Sequence, residues 1–328
     1  MKLLAGDIGG TKTNLALFEE KEGDYTFSEF KSYPSQEYPD LKTIVEEYLI
    51  SLSSPPIQKA CFAIAGPVQE EVCRATNLPW VVDTKVLVST LHIPHVFLLN
   101  DLEANAWALE ILPEESLLEI YPGKKRGGNR GVVSPGTGLG EAGLYWDGER
   151  HHPFACEGGH CEFGPRDELQ LQLSRYLQNR FGHASYERIL SGPGLHTLYE
   201  FLRDTGKYPE PVWLKEALGE DDPSKEITIH ALNKTSELCV HALDLFANIL
   251  GSEAGNCALK FMATGGIYLG GGIPPKILPK LREPTFSEGF VDKGRFRDLL
   301  EQIPVWVILD EKAALKGAAH FVRVKRPR

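Results

Sequence analysis

Leu3-Leu4-Ala5-Gly6-Asp7-Ile8-Gly9-Gly10-Thr11-Lys12-Thr13-Asn14-Leu15-Ala16-Leu17-Phe18 opens the chain with two apolar runs around a Gly- and Thr-rich centre. Apolar stretches separated by such a turn read as a β-hairpin. The arrangement returns at Gly131-Val132-Val133-Ser134-Pro135-Gly136-Thr137-Gly138-Leu139-Gly140-Glu141-Ala142-Gly143-Leu144-Tyr145-Trp146, again strand, Gly/Thr turn, strand. A device used twice points to two related halves. Glycine lets backbone N–H groups come close to an anion, and threonine hydroxyls add donors. Asp7, Gly9, Gly10 and Thr11 in the first turn, and Gly136, Thr137 and Gly138 in the second, are therefore the candidate phosphate contacts, and two such hairpins would clamp a polyphosphate. The first turn is not a P-loop, because no Gly-Lys-Ser/Thr ending follows a four-residue gap, and not a dinucleotide fingerprint, because a strand follows it. On this reading Gly138→Val blocks close backbone approach and weakens nucleotide binding far more than sugar binding.

Outward from these hairpins, strands and helices alternate, the pattern of an α/β sheet. Asp40 is placed to cap a helix whose Leu41, Ile44, Val45, Tyr48 and Leu49 share one face. Residues 60–65 and 96–99 read as buried strands, and residues 168–181 and 235–261 as helices, the longer with a stripe of Leu238, Ala242, Leu245, Phe246, Ile249 and Leu250. Residues 207–224, rich in Pro and charge, read as a surface excursion. Residues 305–309 read as a strand and 313–322 as a helix that returns to the first half.

Composition excludes several classes. The 328 residues are 42% hydrophobic and 24% charged, which fits a globular chain with a substantial core and not a collagen-like, low-complexity or disordered one. Lys and Arg total 35 against 45 Asp and Glu, so the formal charge of -10 disfavours nucleic acid. The basic run Arg323, Lys325, Arg326, Arg328 is terminal and reads as a solvated end. The start of the chain lacks the apolar region of a signal peptide, and no run approaches the ~20 apolar residues of a membrane span, so the expected location is the cytoplasm. Six scattered cysteines fit reduced thiols.

With its near-repeat at Gly136-Thr137-Gly138, the first glycine turn resembles the first phosphate loop of the hexokinase, actin and heat-shock ATPase superfamily, and Asp7-Ile8-Gly9-Gly10-Thr11-Lys12 is similar to bacterial sugar kinases in particular. Leu99-Asn100-Asp101-Leu102-Glu103-Ala104 resembles the catalytic strand end of bacterial glucokinases, Glu157-Gly158-Gly159-His160 their sugar loop, and Glu187-Arg188-Ile189-Leu190-Ser191-Gly192-Pro193-Gly194 the segment that follows. Thr264-Gly265-Gly266-Ile267-Tyr268-Leu269-Gly270-Gly271-Gly272-Ile273, with Gly271 in its turn, resembles the adenosine region. Ala65-Gly66-Pro67 and Thr76-Asn77-Leu78-Pro79-Trp80 correspond to segments on the sugar side. The motifs run in order over nearly the whole chain.

The resemblance implies a two-lobed α/β fold of the ribonuclease-H-like, actin and hexokinase type with an interlobe cleft. The small domain would span 1–110, completed by 301–328, and the large one 111–300. It implies ATP-dependent phosphorylation of D-glucose at the 6-hydroxyl to give glucose 6-phosphate and ADP, with Mg2+ held by Asp7 through water, in a cytoplasmic homodimer. Phosphoryl transfer to a hydroxyl needs a placed acceptor, a group to take its proton, and neutralised phosphate charge. Asp101 suits the base, with Asn100 beside it to hydrogen-bond the sugar, although an Asn-Asp pair after a strand is also a common helix cap. Glu157, His160 and Glu187 supply acceptors and a switchable donor for several adjacent hydroxyls. Zinc on Cys156, His160 and Cys161, with His151 or His152, is the competing use of that segment, but the spacing is loose and the cysteine-rich signature of related zinc-binding kinases is missing. Two functional rivals remain. One is a kinase for another hexose, or one using ADP or polyphosphate. The other is a non-catalytic sugar-responsive regulator, a class that carries a DNA-binding segment ahead of the phosphate loop, which here begins at Asp7.

Overall fold

The computed structural model describes residues 2–21, 24–52, 57–124, 126–220 and 222–325, so Arg326 and Arg328 of the basic run lie outside the described residues. The chain divides into two compact units, one of residues 1–114, 153–155 and 310–328 and the other of 115–152 and 156–309.

The first unit is built on β1 (Lys2–Ile8), β2 (Lys12–Lys21), β3 (Asp24–Pro34), β4 (Lys59–Ile64) and β8 (His95–Asn100), in the order β3-β2-β1-β4-β8. A small second sheet holds β5 (Val68–Gln69), β6 (Val72–Arg74) and β7 (Val81–Asp83). β1 pairs antiparallel with β2, as the hairpin reading requires, and parallel with β4, which pairs parallel with β8. Central parallel strands are covered on both faces and so read as continuous apolar runs, as Leu3 to Ala5 and Ala60 to Ile64 do. One face carries α1 (Leu41–Ile50) and α2 (Thr84–Leu91), and the Asp40 carboxylate caps α1 by accepting the Thr43 N–H at 2.8 Å. The other carries α3 (Asp101–Ala108) and the terminal helix Ala313–Val324, whose Ala318, Phe321 and Val322 share a cluster with Leu3, Ala5 and Cys61. A Cβ on Gly317 would overlap the Ala104 carbonyl, so the two helices meet backbone to backbone.

The second unit repeats the order. Its sheet runs β12 (His151–Cys156), β11 (Leu139–Trp146), β10 (Arg130–Pro135), β13 (Ile267–Leu269), β14 (Val305–Ile308) and β9 (Leu117–Tyr121). As in the first unit, an antiparallel hairpin continues into two parallel neighbours, here β13 and β14. Its helices are α4 (Glu168–Phe181), α5 (Gly192–Asp204), α6 (Val212–Glu220), α7 (Pro223–Leu232), α8 (Glu237–Phe261), α9 (Leu278–Leu281), α10 (Pro284–Val291) and α11 (Arg297–Leu300), which makes the terminal helix α12. α8 is the axis of this core, its Leu238, Ala242, Phe246, Ile249 and Leu250 all buried. Residues 207–224 are not a plain surface excursion. They contain α6, whose Leu214 is fully buried, and the start of α7. The Asp222-Pro223 pair, a cap followed by proline at the first helical position, was the readable signal.

Candidate active site

The row Ile8, Ile64, Asn100 runs across β1, β4 and β8 in register. It brings the Gly9–Thr11 turn, the Ala65–Pro67 turn and the Asn100-Asp101 pair to the carboxyl ends of parallel strands, the edge where α/β sheets bind ligands. β1 and β8 are two strand spacings apart, about 10 Å. Gly9 N–H donates to the Lys12 carbonyl at 2.9 Å and closes the turn. Buried Ser35 braces it from behind, its Oγ donating to Gly9 O at 2.8 Å and its N–H to Thr11 O at 3.0 Å. The sequence reading had no signal for Ser35. The Asp7 carboxylate accepts one long hydrogen bond, from Asn14 Nδ2 at 3.5 Å, and burial pushes its pKa up to about 6. A carboxylate desolvated in this way fits a divalent cation, whose charge would offset that cost.

Asn100 and Asp101 divide the two roles that an Asn-Asp pair offers. Asn100 is the helix cap, its Oδ1 accepting from Leu102 N–H at 2.9 Å and Glu103 N–H at 3.3 Å, while its Nδ2 donates to Gly66 O at 3.2 Å. That ties the Ala65–Pro67 turn to the strand end and leaves Asn100 one amide hydrogen for a sugar. Asp101 is the first residue of α3, half-buried, and its Oδ1 accepts the Leu102 N–H at 3.0 Å.

In the second unit, Gly136 N–H donates to Gly138 O at 2.8 Å, and Gly136 O accepts from Gly192 N–H at 2.8 Å. The turn and the start of α5 together open onto a cavity of about 760 Å³. Pro193, Leu195, Ile229, Leu232, Ile273 and Ile277 give it apolar walls, with His196, Ser224, Thr228 and Lys276 as polar points. Ser224 Oγ donates to Gly192 O at 2.6 Å and fastens α7 to the rim. Gly271, at a φ of 78°, turns the chain after β13, and its neighbour Gly272 lines the cavity. Reading the Pro- and charge-rich residues 207–224 as a surface excursion hides the α7 wall, because the helix starts inside that stretch at Pro223.

Glu157, His160 and Glu187 come together. β12 delivers Glu157 into a tight turn in which His160 N–H donates to Glu157 O at 3.1 Å. His160 Nε2 lies 3.9 Å from Glu157 Oε2, and His160 Nδ1 lies 3.8 Å from Glu187 Oε1. The side chains of Glu157 and His160 are more than half exposed, at 58% and 56%, and so are open to a ligand. Glu187 Oε2 accepts the Leu139 N–H at 3.0 Å, which joins this group to the second glycine turn. A Cβ on Gly138 would stand 2.5 Å from that same oxygen. The missing side chain of Gly138 thus makes room for Glu187, so this position bears on the sugar trio as well as on the turn expected to meet the nucleotide. His151 and His152 are engaged elsewhere, with Gly128 O at 3.1 Å and Asp147 Oδ2 at 2.6 Å.

Residues 4–325 match the family model described as Glucokinase. The chain is 42% identical to a glucokinase of Nostoc punctiforme, over 97% of each chain. Among solved structures it is similar to a glucokinase from an Antarctic psychrotroph, with a TM-score of 0.84 and 28% identity over 99% of both chains. It shares the fold of a Balamuthia mandrillaris glucokinase solved in complex with glucose, with a TM-score of 0.79 and 22% identity over 99% of this chain and 94% of that one.

Proposed function

The chain belongs to the glucokinase family and phosphorylates glucose, and from that premise we propose how its own residues carry out the reaction. The phosphoryl donor is ATP, the acceptor is the 6-hydroxyl of D-glucose, and the products are glucose 6-phosphate and ADP. The observation that carries the reading is the trio Glu157, His160 and Glu187, in which His160 lies within 4 Å of both carboxylates and Glu187 is tied through Leu139 N–H to a glycine turn on the rim of a cavity suited in volume to a nucleoside.

In this reading the apolar walls of the cavity take the adenine and its polar points the ribose. The amides around Gly136–Gly138 and Gly9–Thr11 hold phosphate oxygens. Glu157, His160 and Glu187 hydrogen-bond the ring hydroxyls, and Asn100 donates its remaining amide hydrogen to another. Asp101 takes the proton of the 6-hydroxyl as the bond from O6 to the terminal phosphorus forms and the bond to the ADP oxygen breaks. Asp7 would hold Mg2+ through water, the ion supplying charge neutralisation on the phosphates. The family also supports our reading of a cytoplasmic homodimer that admits glucose to glycolysis. The net charge of -10 supports the absence of a nucleic acid partner.

A coupled assay over a panel of hexoses with ATP, ADP and polyphosphate tests the assignment. Glucose with ATP is expected to give the highest kcat/KM, and a higher value for another pair would replace the substrates named here. Glu157→Ala and His160→Ala are each expected to raise the glucose KM by the ~1–3 kcal/mol lost when a sugar hydroxyl has no partner. Unchanged glucose saturation in both variants would move the sugar site elsewhere.

A further inference from the structure

Glu141 and Glu253 have no part in the chemistry above, yet they are 1% and 0% exposed. Leu139 and Glu141, two apart on β11, share one face of the strand, and the sugar turn sits on that face. A Cβ on Gly159 would overlap the Leu139 carbonyl, and one on Gly158 would overlap the Glu141 carboxylate, so the two-glycine turn is seated directly on these two groups. From the far side Glu141 meets α8. Cys257 Sγ donates to Glu141 Oε2 at 3.3 Å, and Lys260 Nζ pairs with Glu253 Oε1 at 3.2 Å. Asn256 Nδ2 reaches Glu253 Oε2 at 2.7 Å and Tyr186 Oη at 3.0 Å. The buried group thus touches both ends of the trio, under Gly158 between Glu157 and His160, and at Tyr186 next to Glu187.

We propose that Glu141 is a positioning residue for sugar binding, its carboxyl group being the floor under Gly158 that sets where Glu157 and His160 stand. The proposal rests on the sugar-loop reading given above. Glu141 Oε2 accepts a hydrogen bond from the Cys257 thiol, the Glu253 carboxyl group lies beside it, and Glu141 Oε1 is buried with no hydrogen-bond partner among the described residues. A charged oxygen left so is far costlier than a neutral one, so the site favours the protonated form. The groups that face Glu141 are Glu253, Cys257 and Lys260 from α8 and Cys156 from β12. Burial and the neighbouring Glu253 push Glu141 up to about 7. Above that pH the carboxylate calls for partners that the site lacks, and the turn seated on it is displaced. One oxygen each of Glu141 and Glu253 and the Cys257 sulfur lie within 4.8 Å of one another, as metal ligands would. Lys260 already occupies Glu253, which favours a shared proton over a cation.

Steady-state kinetics of the full chain, with melting temperatures, test this in wild type, Glu141→Ala, Glu141→Gln and Glu157→Ala. Glu141→Ala is expected to raise the glucose KM about tenfold while kcat and the ATP KM stay within about threefold. Glu141→Gln, neutral and of the same shape, is expected to keep the wild-type glucose KM near pH 6 and to lose the rise that wild type shows between about pH 6 and pH 8. A wild-type glucose KM in Glu141→Ala, or a loss shared equally by kcat and ATP, overturns the proposal. If Glu141→Ala does not fold, the Gln variant decides, and a pH dependence equal to wild type overturns it. A glucose KM that rises on chelation and is restored by Zn2+ makes the cluster a metal site instead. The sugar-loop reading fails separately, if Glu157→Ala leaves the glucose KM unchanged.

Discussion

Replacing Gly138 by alanine adds one methyl group at the point where the nucleotide turn meets the sugar trio. The new Cβ would stand 2.5 Å from Glu187 Oε2, against about 3.4 Å for ordinary contact, so the carboxylate retreats by about 0.9 Å. Its hydrogen bond from Leu139 N–H, now 3.0 Å, opens to roughly 3.9 Å and is lost. A hydrogen bond to a charged group is worth ~1.5–3 kcal/mol, and Glu187 leaves its place beside the sugar at the same time, so the glucose KM is expected to rise ~10- to 150-fold. The moving atom is the far end of a flexible side chain, so the melting temperature stays close to that of wild type. The assay is glucose and ATP saturation of Gly138→Ala beside Gly136→Ala, whose Cβ would meet nothing within 4 Å and which lines the nucleotide cavity. Gly136→Ala is expected to affect ATP and spare glucose. If Gly138→Ala raised the ATP KM and left the glucose KM alone, the reasoning from Glu187 would be refuted.

Asp101→Asn keeps shape and removes the basic carboxylate, so kcat is expected to fall by ~10²- to 10⁴-fold with glucose binding largely retained, and a folded variant turning over within about threefold of wild type would remove Asp101 from the chemistry. Asp7 has its folded pKa raised from 3.8 to about 6, so the folded state binds the extra proton and loses stability as pH rises through that window. In EDTA, Asp7→Asn is therefore expected to gain about 3 kcal/mol at pH 7.5 but only about 1 kcal/mol at pH 4.5, while losing activity. Urea unfolding at the two pH values checks this, and an equal gain at both would show that ionisation is not the cause. Gly317→Val forces apart α12 and α3, which meet at the Ala104 carbonyl, and is expected to cost ~1–3 kcal/mol or more by urea unfolding with little change in either KM of the surviving folded enzyme.

Both hairpins were legible because a Gly/Thr turn between apolar runs is a local signal. So were α1, α4 and α8, whose caps and stripes lie within one element. Glu157, His160 and Glu187 were legible as donor and acceptor types in motif positions, but their meeting depends on β11 and the Gly158–His160 turn lying together, which no local pattern states. Ser35 was invisible because a buried serine bracing a turn 24 residues away leaves no periodic trace. The α7 wall was hidden by composition, since proline and charge suggest a loop until Asp222-Pro223 is read as a helix start. Asn100 and Asp101 show the opposite case. The sequence offered cap or chemistry for the pair, and the strand register separates them by giving the cap to Asn100.

The hairpin of β10 and β11 explains why sugar and nucleotide determinants cannot be changed independently here. Its turn is the one proposed to hold phosphate, its next residue donates to Glu187, and two residues further on Glu141 lies under the turn that carries Glu157 and His160. All three attachments fall on Gly138 to Glu141, the last residue of the turn and the first three of β11, whose Leu139 and Glu141 are buried in the sheet. In-line phosphoryl transfer loses rate steeply when the reacting groups are displaced by about 1 Å, so fixing both sets of contacts to one rigid segment removes a source of relative motion that separate loops would permit. The same economy makes the segment intolerant. On the proposed reading a side chain at 138 displaces Glu187 and a charge at 141 lifts the sugar turn, so two positions that do not touch the acceptor reach it through residues that do.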